Sequence, residues 1–334
     1  MERKNVLTAE ALVEPALLDV KKFLAACLRL MKPGISFFIG LTSATAVLVR
    51  PAGEPLSWEG GLLLFLGSFF ASSGAAAFNQ FHEADLDALM ERTRSRPLPA
   101  KLLSPAFALI FSLCLLFLGL GCAFVFVHPY AALYLGLGAF SYIVLYTMLA
   151  KRRTAWNVPL GGLCGFFAAL AGASSSDGAI SVAGWGAALI LYFWSAPHFW
   201  SLALLKAEDY AKAGVPMAPR AWGVKTTTRL ILGHAILLPF LAGFFYPERL
   251  FAILFICAAS LVFILYAWNL NKSVSIENAS IENASIINAS GLNQAARLEA
   301  NFSVPAARKS FLFSLFFLPL VFLGFWIDAW IVSL

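Results

Sequence analysis

Charge is what this sequence has least of: Asp, Glu, Lys and Arg make up 13% of the chain against 60% hydrophobic residues. Soluble domains carry roughly a quarter of their residues charged, so an ordinary soluble fold is excluded. Metal-ligand spacing is missing too. The five cysteines, Cys27, Cys114, Cys122, Cys164 and Cys257, form no CxxC pair and have no histidine at ligand distance along the chain, which excludes a zinc finger, an iron–sulfur centre and a thiol redox motif. They read as small core hydrophobes in a reducing or lipid setting. The N-terminal region lacks an early apolar core and carries Glu2, Glu10, Glu14 and Asp19. A cleavable signal needs such a core and a transit peptide avoids such acids, so neither is expected.

Long apolar runs are present instead. Stretches able to span a hydrocarbon core of about 30 Å lie at 34–50, 60–79, 105–127, 129–149, 158–175, 180–204, 230–247, 249–270 and 310–333. They predict an all-α membrane protein, a nine-helix transmembrane bundle, with 158–175 the shortest run. Residues 1–33 form an N-terminal segment in which 14–31 alternates apolar and charged positions at helical period. That pattern suits a helix in the membrane interface, turned into the bilayer at Lys32-Pro33. Residues 34–334 then make one domain. Placing the N-terminus in the cytoplasm puts 22 of the 24 Lys and Arg inside and leaves only Arg50 and Arg249 outside. Orientation thus accounts for the net charge of +6, and no nucleic-acid partner is needed to explain it.

The densest break in the apolar background runs from Asn79 to Pro97, where four acids and three arginines follow about twenty nearly apolar residues. A charge at the centre of a membrane helix costs roughly 2.5–3.5 kcal/mol, so a cluster at a helix end marks a candidate site. Asn79, Glu83 and Asp87 recur every fourth residue, which on a helix of about 3.6 residues per turn places them on one stripe. Such hard oxygen ligands suit Mg²⁺, which takes one or two carboxylates together with waters and phosphate oxygens. Arg92 and Arg96, again four apart, can grip the same phosphates through paired hydrogen bonds. Asp85 lies about 200° round from Glu83 and either closes the site from the side or caps the loop. A solvated helix end in a cytoplasmic loop would have the same composition, and spacing alone leaves both readings open.

Two further blocks carry polar groups. Tyr146 and Thr147 lead into the cationic Lys151-Arg152-Arg153, with Asn157 and the pair Gly161-Gly162 beyond. The glycines imply tight packing or a close backbone approach. The second block runs from Phe193 to Trp200 and continues through Lys206 to Asp209 and Tyr210. On an unbroken helix His198 and Asp209 return to nearly one face, with Lys206 close to it. His198 serves either that wall or the staple of a Pro197 kink. His128 reads as an interfacial loop residue, His234 as a packing residue, and Asp328 as lacking an obvious partner near the outer interface. A five-residue repeat at Ser275, Ser280 and Ser285 falls in the stretch 271–309, which is expected to be a flexible cytoplasmic loop insertion.

Together these blocks resemble the UbiA-type intramembrane prenyltransferases, and within them the protoheme IX farnesyltransferases or haem O synthases. The match rests on Asn79–Pro97, on Tyr146–Asn157 with Gly161-Gly162, and on Trp194–Trp200 running on to Asp209–Met217. The resemblance implies a helical bundle around a lipid-facing cavity in a bacterial inner membrane. Its donor would be farnesyl diphosphate, its acceptor haem B, and haem-handling proteins would be its partners. Asn79, Glu83 and Asp87 would hold Mg²⁺ on the diphosphate, with Asp85 beside them and Asp209 matching a second acidic motif. Arg92, Arg96, Lys151, Arg152 and Lys206 would neutralise the leaving group, Tyr146 would line the substrate site, and His198 would contact haem or its iron. Three positions depart from the family pattern: Glu83 replaces the usual Asp, Gly34 stands where Arg follows Lys-Pro, and the segment after Gly162 lacks paired prolines. A quinone-precursor acceptor is the competing enzymatic reading. A transporter would instead show inverted repeats and midplane charges, and the sequence displays neither.

Overall fold

The computed structural model describes residues 9–49, 57–284 and 302–332, and the regular structure among them is helical throughout. Helix α1 is Ala9–Met31 and α2 is Pro33–Ala46, extended by a 3₁₀ turn at Val47–Val49. Helices α3 (Trp58–His82), α4 (Ala84–Leu89) and α5 (Pro105–Phe126) follow. Helix α6 (Pro129–Phe140) continues without a break as a π-helix over Ser141–Ala150. Next come α7 (Asn157–Ala173), α8 (Val182–Leu205), α9 (Ala207–Lys212) and α10 (Ala218–Ala221). Helices α11 (Val224–Phe245), α12 (Leu250–Ala284) and α13 (Val304–Val332) complete the chain.

Every apolar run expected from the sequence is helical, but the count of full spans among the described residues is seven or eight. Segments in α3, α5, α6 with its π-extension, α8, α11, α12 and α13 are long and apolar enough to cross a bilayer. The end of α1 and the α2 arm meet at 47° and make an eighth span if taken together. Helix α7 has 17 residues, about 25 Å at 1.5 Å per residue, which is short of the hydrocarbon thickness.

Small residues set the closest helix contacts. A Cβ added at Gly119 of α5 would lie 2.3 Å from the Ala71 backbone nitrogen of α3, and one at Gly74 would lie 2.5 Å from the Leu116 nitrogen. The two helices therefore touch backbone to backbone there, as small-residue interfaces allow in lipid. The second half packs on larger side chains, with Phe263 of α12 and Phe317 of α13 fully buried beside α8 and α11. Phe117, Phe124, Phe240, Phe244 and Phe316 point outward and are more than half exposed, a surface suited to lipid.

Two local expectations are corrected. The stretch after 270 is not loop at first: α12 continues to Ala284 and α13 begins at Val304. The first two copies of the Ser-Ile-Glu-Asn-Ala repeat hold helix formers and no Gly or Pro, so nothing stops the helix there. The copy starting at Ser285 lies outside the described residues. Asp328 does have partners. Its carboxylate accepts hydrogen bonds from the backbone nitrogens of Phe251, at 3.0 Å, and Ala252, at 2.7 Å, and so caps the first turn of α12 from another helix.

Candidate active site

Chain reversals at one end of the bundle bring α1, the α3–α4 corner and the end of the π-helix together. Helix α3 ends at His82, and Glu83 takes φ −105°, ψ 15° before α4 starts. The stripe of Asn79, Glu83 and Asp87 therefore crosses a corner instead of following one straight helix. All three side chains are buried, none above 2% exposed.

Each acid on this corner is met by a cation. Lys151, itself buried, hydrogen-bonds Glu83 Oε2. One nitrogen of Arg96 donates to both oxygens of Asp87 at 2.8 Å. Arg152 grips Asp85 with two hydrogen bonds of 2.8 and 2.7 Å, and this guanidinium holds the Asp85 carboxyl below the usual carboxylate range. Arg29 donates to the Ser95 carbonyl and ties α1 to the loop that carries Arg96.

Two rings and a lysine complete the cluster, and of these only Tyr146 is foreseen from the sequence. The π-helix stacks Tyr142 on Tyr146 with centroids 5.4 Å apart, and Lys151 lies 5.5 Å from the Tyr146 ring centre. Gly161 makes room for that ring, since a Cβ there would stand 3.0 Å from it. Lys32 donates to Asn79 Oδ1 at 2.8 Å and reaches the Tyr142 hydroxyl at 3.4 Å. Its backbone is left-handed, φ 46° and ψ 60°, a conformation costing a non-glycine residue roughly 1–2 kcal/mol. Asn79 in turn donates to Thr147 Oγ1 at 3.1 Å. A Lys-Pro pair at a helix start signals a turn in sequence, and the contact across 47 residues leaves no trace there. Beyond Lys32 and Tyr142 opens an apolar cavity of about 70 Å³, lined also by Ala71, Ala76, Ala139 and Cys164.

The remaining expected residues border the cluster or stand apart from it. Arg92 is exposed in the loop after α4. Lys206 is exposed at the corner between α8 and α9, φ −121° and ψ 26°, so the unbroken helix assumed for His198 and Asp209 does not exist. Asp209 is half-buried on α9. Its carboxylate is not drawn into a group with the others: no set of three His, Cys, Asp or Glu side chains converges among the described residues. His198 faces α13, stacked between Trp194 at 5.0 Å and Phe311 at 5.2 Å, with Nδ1 2.7 Å from Ser314 Oγ. His128 caps α6, and His234 packs between Phe193 and Trp200.

Whether the corner suits a divalent cation can be judged from one atom. Glu83 Oε1 is buried and has no hydrogen-bond partner, which is expensive for a carboxylate. With Asn79 Oδ1 and the Asp87 carboxylate it gives an oxygen-only donor set of the kind Mg²⁺ takes. The residues fit.

Residues 40–283 match the UbiA prenyltransferase family. The chain belongs to that family. It is 34% identical over 300 residues to a protoheme IX farnesyltransferase of Bartonella henselae, covering 88% of this chain and 86% of the relative. A protoheme IX farnesyltransferase of a Synechococcus strain is 35% identical over 72% of each chain. Among solved structures, a UbiA homologue from Archaeoglobus fulgidus bound to DMAPP and Mg²⁺ superposes with a TM-score of 0.60 at 18% identity, covering 88% of this chain and 98% of that one. A digeranylgeranylglyceryl phosphate synthase gives 0.64 at 19% identity, over 92% and 98%. As a UbiA-family protein this chain is a multi-pass membrane enzyme of prenyl transfer, and its fold is that of the family.

Proposed function

We propose that this UbiA-family enzyme transfers a farnesyl group from farnesyl diphosphate to a vinyl group of haem B, giving haem O. The observation carrying the proposal is the meeting of a cation-rich polar corner with an apolar cavity at Tyr142 and Lys32. A molecule with a diphosphate head and an isoprenoid tail has that same division.

Arg96 and Lys151, released from Asp87 and Glu83, would bind the diphosphate, with Arg92, Arg152 and Lys206 at the rim and Asp85 holding Arg152 in place. Mg²⁺ held by Asn79, Glu83 and Asp87 would supply charge neutralisation on the leaving group, and Asp209, apart from them on α9, would serve as the second acidic group. When the allylic C–O bond breaks, its electron pair leaves with the diphosphate and an allylic cation remains. The stacked Tyr142 and Tyr146 rings face that charge with π density, and the apolar walls keep water away. The terminal carbon of the haem vinyl group then attacks the cation, which moves the positive charge to the carbon beside the porphyrin; only there does water add, losing a proton to the released diphosphate to give the hydroxyethylfarnesyl side chain.

His198 supports haem as acceptor. Ser314 Oγ lies 2.5 Å from the Phe311 carbonyl and donates its proton there, so it accepts one from His198 Nδ1. That leaves the lone pair on Nε2, the form in which imidazole ligates iron. The names of the relatives favour the same acceptor. We place the enzyme in a bacterial inner membrane with its N-terminus in the cytoplasm: with α7 counted as a short ninth crossing beside the spans of the other helices, that orientation gathers 22 of 24 Lys and Arg inside.

The test is to express the protein in membranes that contain no haem O, extract haem with acidified acetone and chromatograph it. A late-eluting farnesylated haem is expected. Prenylation of a supplied quinone-precursor ring, with protohaem untouched, would move the assignment to the competing acceptor.

A further inference from the structure

Lys32 takes no part in the steps above, yet it stands where the polar corner meets the apolar cavity. Its ammonium binds the oxygen of Asn79, one of the proposed metal ligands, and reaches the hydroxyl of Tyr142 on the cavity wall. We propose that Lys32 is an exchangeable counter-ion, seated on Asn79 while the corner is metal-free and passed to the substrate diphosphate when a divalent cation takes that oxygen. The inference rests on the metal-and-diphosphate reading of this corner and adds a residue to it.

Charge repulsion favours the exchange. Mg²⁺ on Asn79 Oδ1, at about 2.0–2.1 Å, would stand only about 4 Å from an ammonium that lies 2.8 Å from the same oxygen, and two cations that close repel in a poorly solvated site. The amide cannot turn away, because its nitrogen is committed to Thr147 Oγ1, which itself donates to the Tyr142 carbonyl at 2.8 Å. The lysine is therefore the partner that gives way. It has somewhere to go, since a diphosphate entering beside the metal brings acceptors to the mouth of the cavity.

The surroundings hold the turn at Lys32 through bonds that do not involve its side chain. Gln80 Nε2 donates to the Arg29 carbonyl at 3.0 Å and the Leu30 carbonyl at 2.9 Å, and Ser36 Oγ donates to the Met31 carbonyl at 2.9 Å. These bonds satisfy the last carbonyls of α1 and fix the left-handed turn at Lys32. A strained residue maintained by such a frame, carrying a flexible four-carbon stem with three donors, suits a charge that changes partners. The balance of charge agrees: Lys32, Arg96 and Lys151 share the corner with the carboxylates of Glu83 and Asp87, so the lysine is the cation without a carboxylate of its own.

The experiment uses full-length protein purified in detergent, as wild type, Lys32→Met, Lys32→Gln and Lys32→Arg. Mn²⁺ binding is followed by electron paramagnetic resonance, and inorganic pyrophosphate binding by calorimetry at saturating Mn²⁺. Removing the ammonium should tighten Mn²⁺ binding severalfold and weaken pyrophosphate by at least about tenfold, the loss of one charge-assisted hydrogen bond. Lys32→Arg should keep most of the pyrophosphate affinity. Opposite signs are the signature. A merely structural lysine would lower both affinities together, and unchanged pyrophosphate binding in the Met and Gln variants would also overturn the proposal. If wild type itself binds neither Mn²⁺ nor pyrophosphate, the reading of the corner as a metal-diphosphate site fails, and this inference with it.

Discussion

At the scale of single residues, the acids of the corner are held by partners whose loss separates stability from activity. Glu83→Gln leaves Lys151 as a buried cation without its counter-charge, and breaking such a pair costs roughly 3–5 kcal/mol. A thermal melt in detergent should fall accordingly, and adding Lys151→Met should restore most of it while prenyl transfer stays absent. Recovery of activity in the double variant would remove both from the chemistry. Asp87→Asn keeps the shape but not the charge. Prenyl transfer should drop by on the order of 100-fold or more even at saturating Mg²⁺, in protein that still inserts. His198→Ala should weaken haem binding, read as a smaller Soret shift in a haem titration, and leave Mn²⁺-dependent pyrophosphate binding unchanged. An identical haem affinity in both would take His198 out of the acceptor site. Asn79, Glu83 and Asp87 were legible in sequence because charge beside a long apolar run stands out and a four-residue spacing survives one corner. Lys32 was not, because its role arises from a 47° bend that carries it to a helix 47 residues away.

At the scale of elements, apolar runs predict helices well and corners poorly. The breaks at Glu83 and Lys206 contain neither Gly nor Pro, so local propensity gives no warning. The corner at Glu83 is set where a chain leaving the bilayer finds an ion-pair partner, Lys151, on another helix. The π-helix at Ser141–Ala150 is equally silent in sequence, and it carries the stacked tyrosines, a common place for such bulges. The end of α12 yields a sharper expectation. Replacing 285–301 by a short Gly/Ser linker should leave activity and melting unchanged, because loop length costs only about 0.6 kcal/mol per doubling. Extending the replacement to 273–304 removes Val274 and Phe302, 1% and 2% exposed, and should cost about 3–6 kcal/mol. Equal melting temperatures for the two replacements would mean that those side chains do not pack as described.

For the molecule as a whole, orientation is the testable property. In a cysteine-free background, an impermeant maleimide added to intact spheroplasts should label Glu248→Cys and spare Arg94→Cys until the membrane is opened. The reverse pattern would overturn the proposed topology. The division of contacts across the bundle has a consequence for how such an enzyme can change. Lys32, Asn79, Glu83, Asp87, Arg96 and Lys151 bind one another within the first six helices, whereas His198 leans on α8 and α13 through Trp194, Phe311 and Ser314. On the proposed assignment, most of the donor-activating residues and the acceptor-facing His198 thus lie in different halves of the chain, with Lys206 and Asp209 the exceptions. Drift or recombination in the second half can explore new nucleophiles while the charge balance of the first is inherited intact.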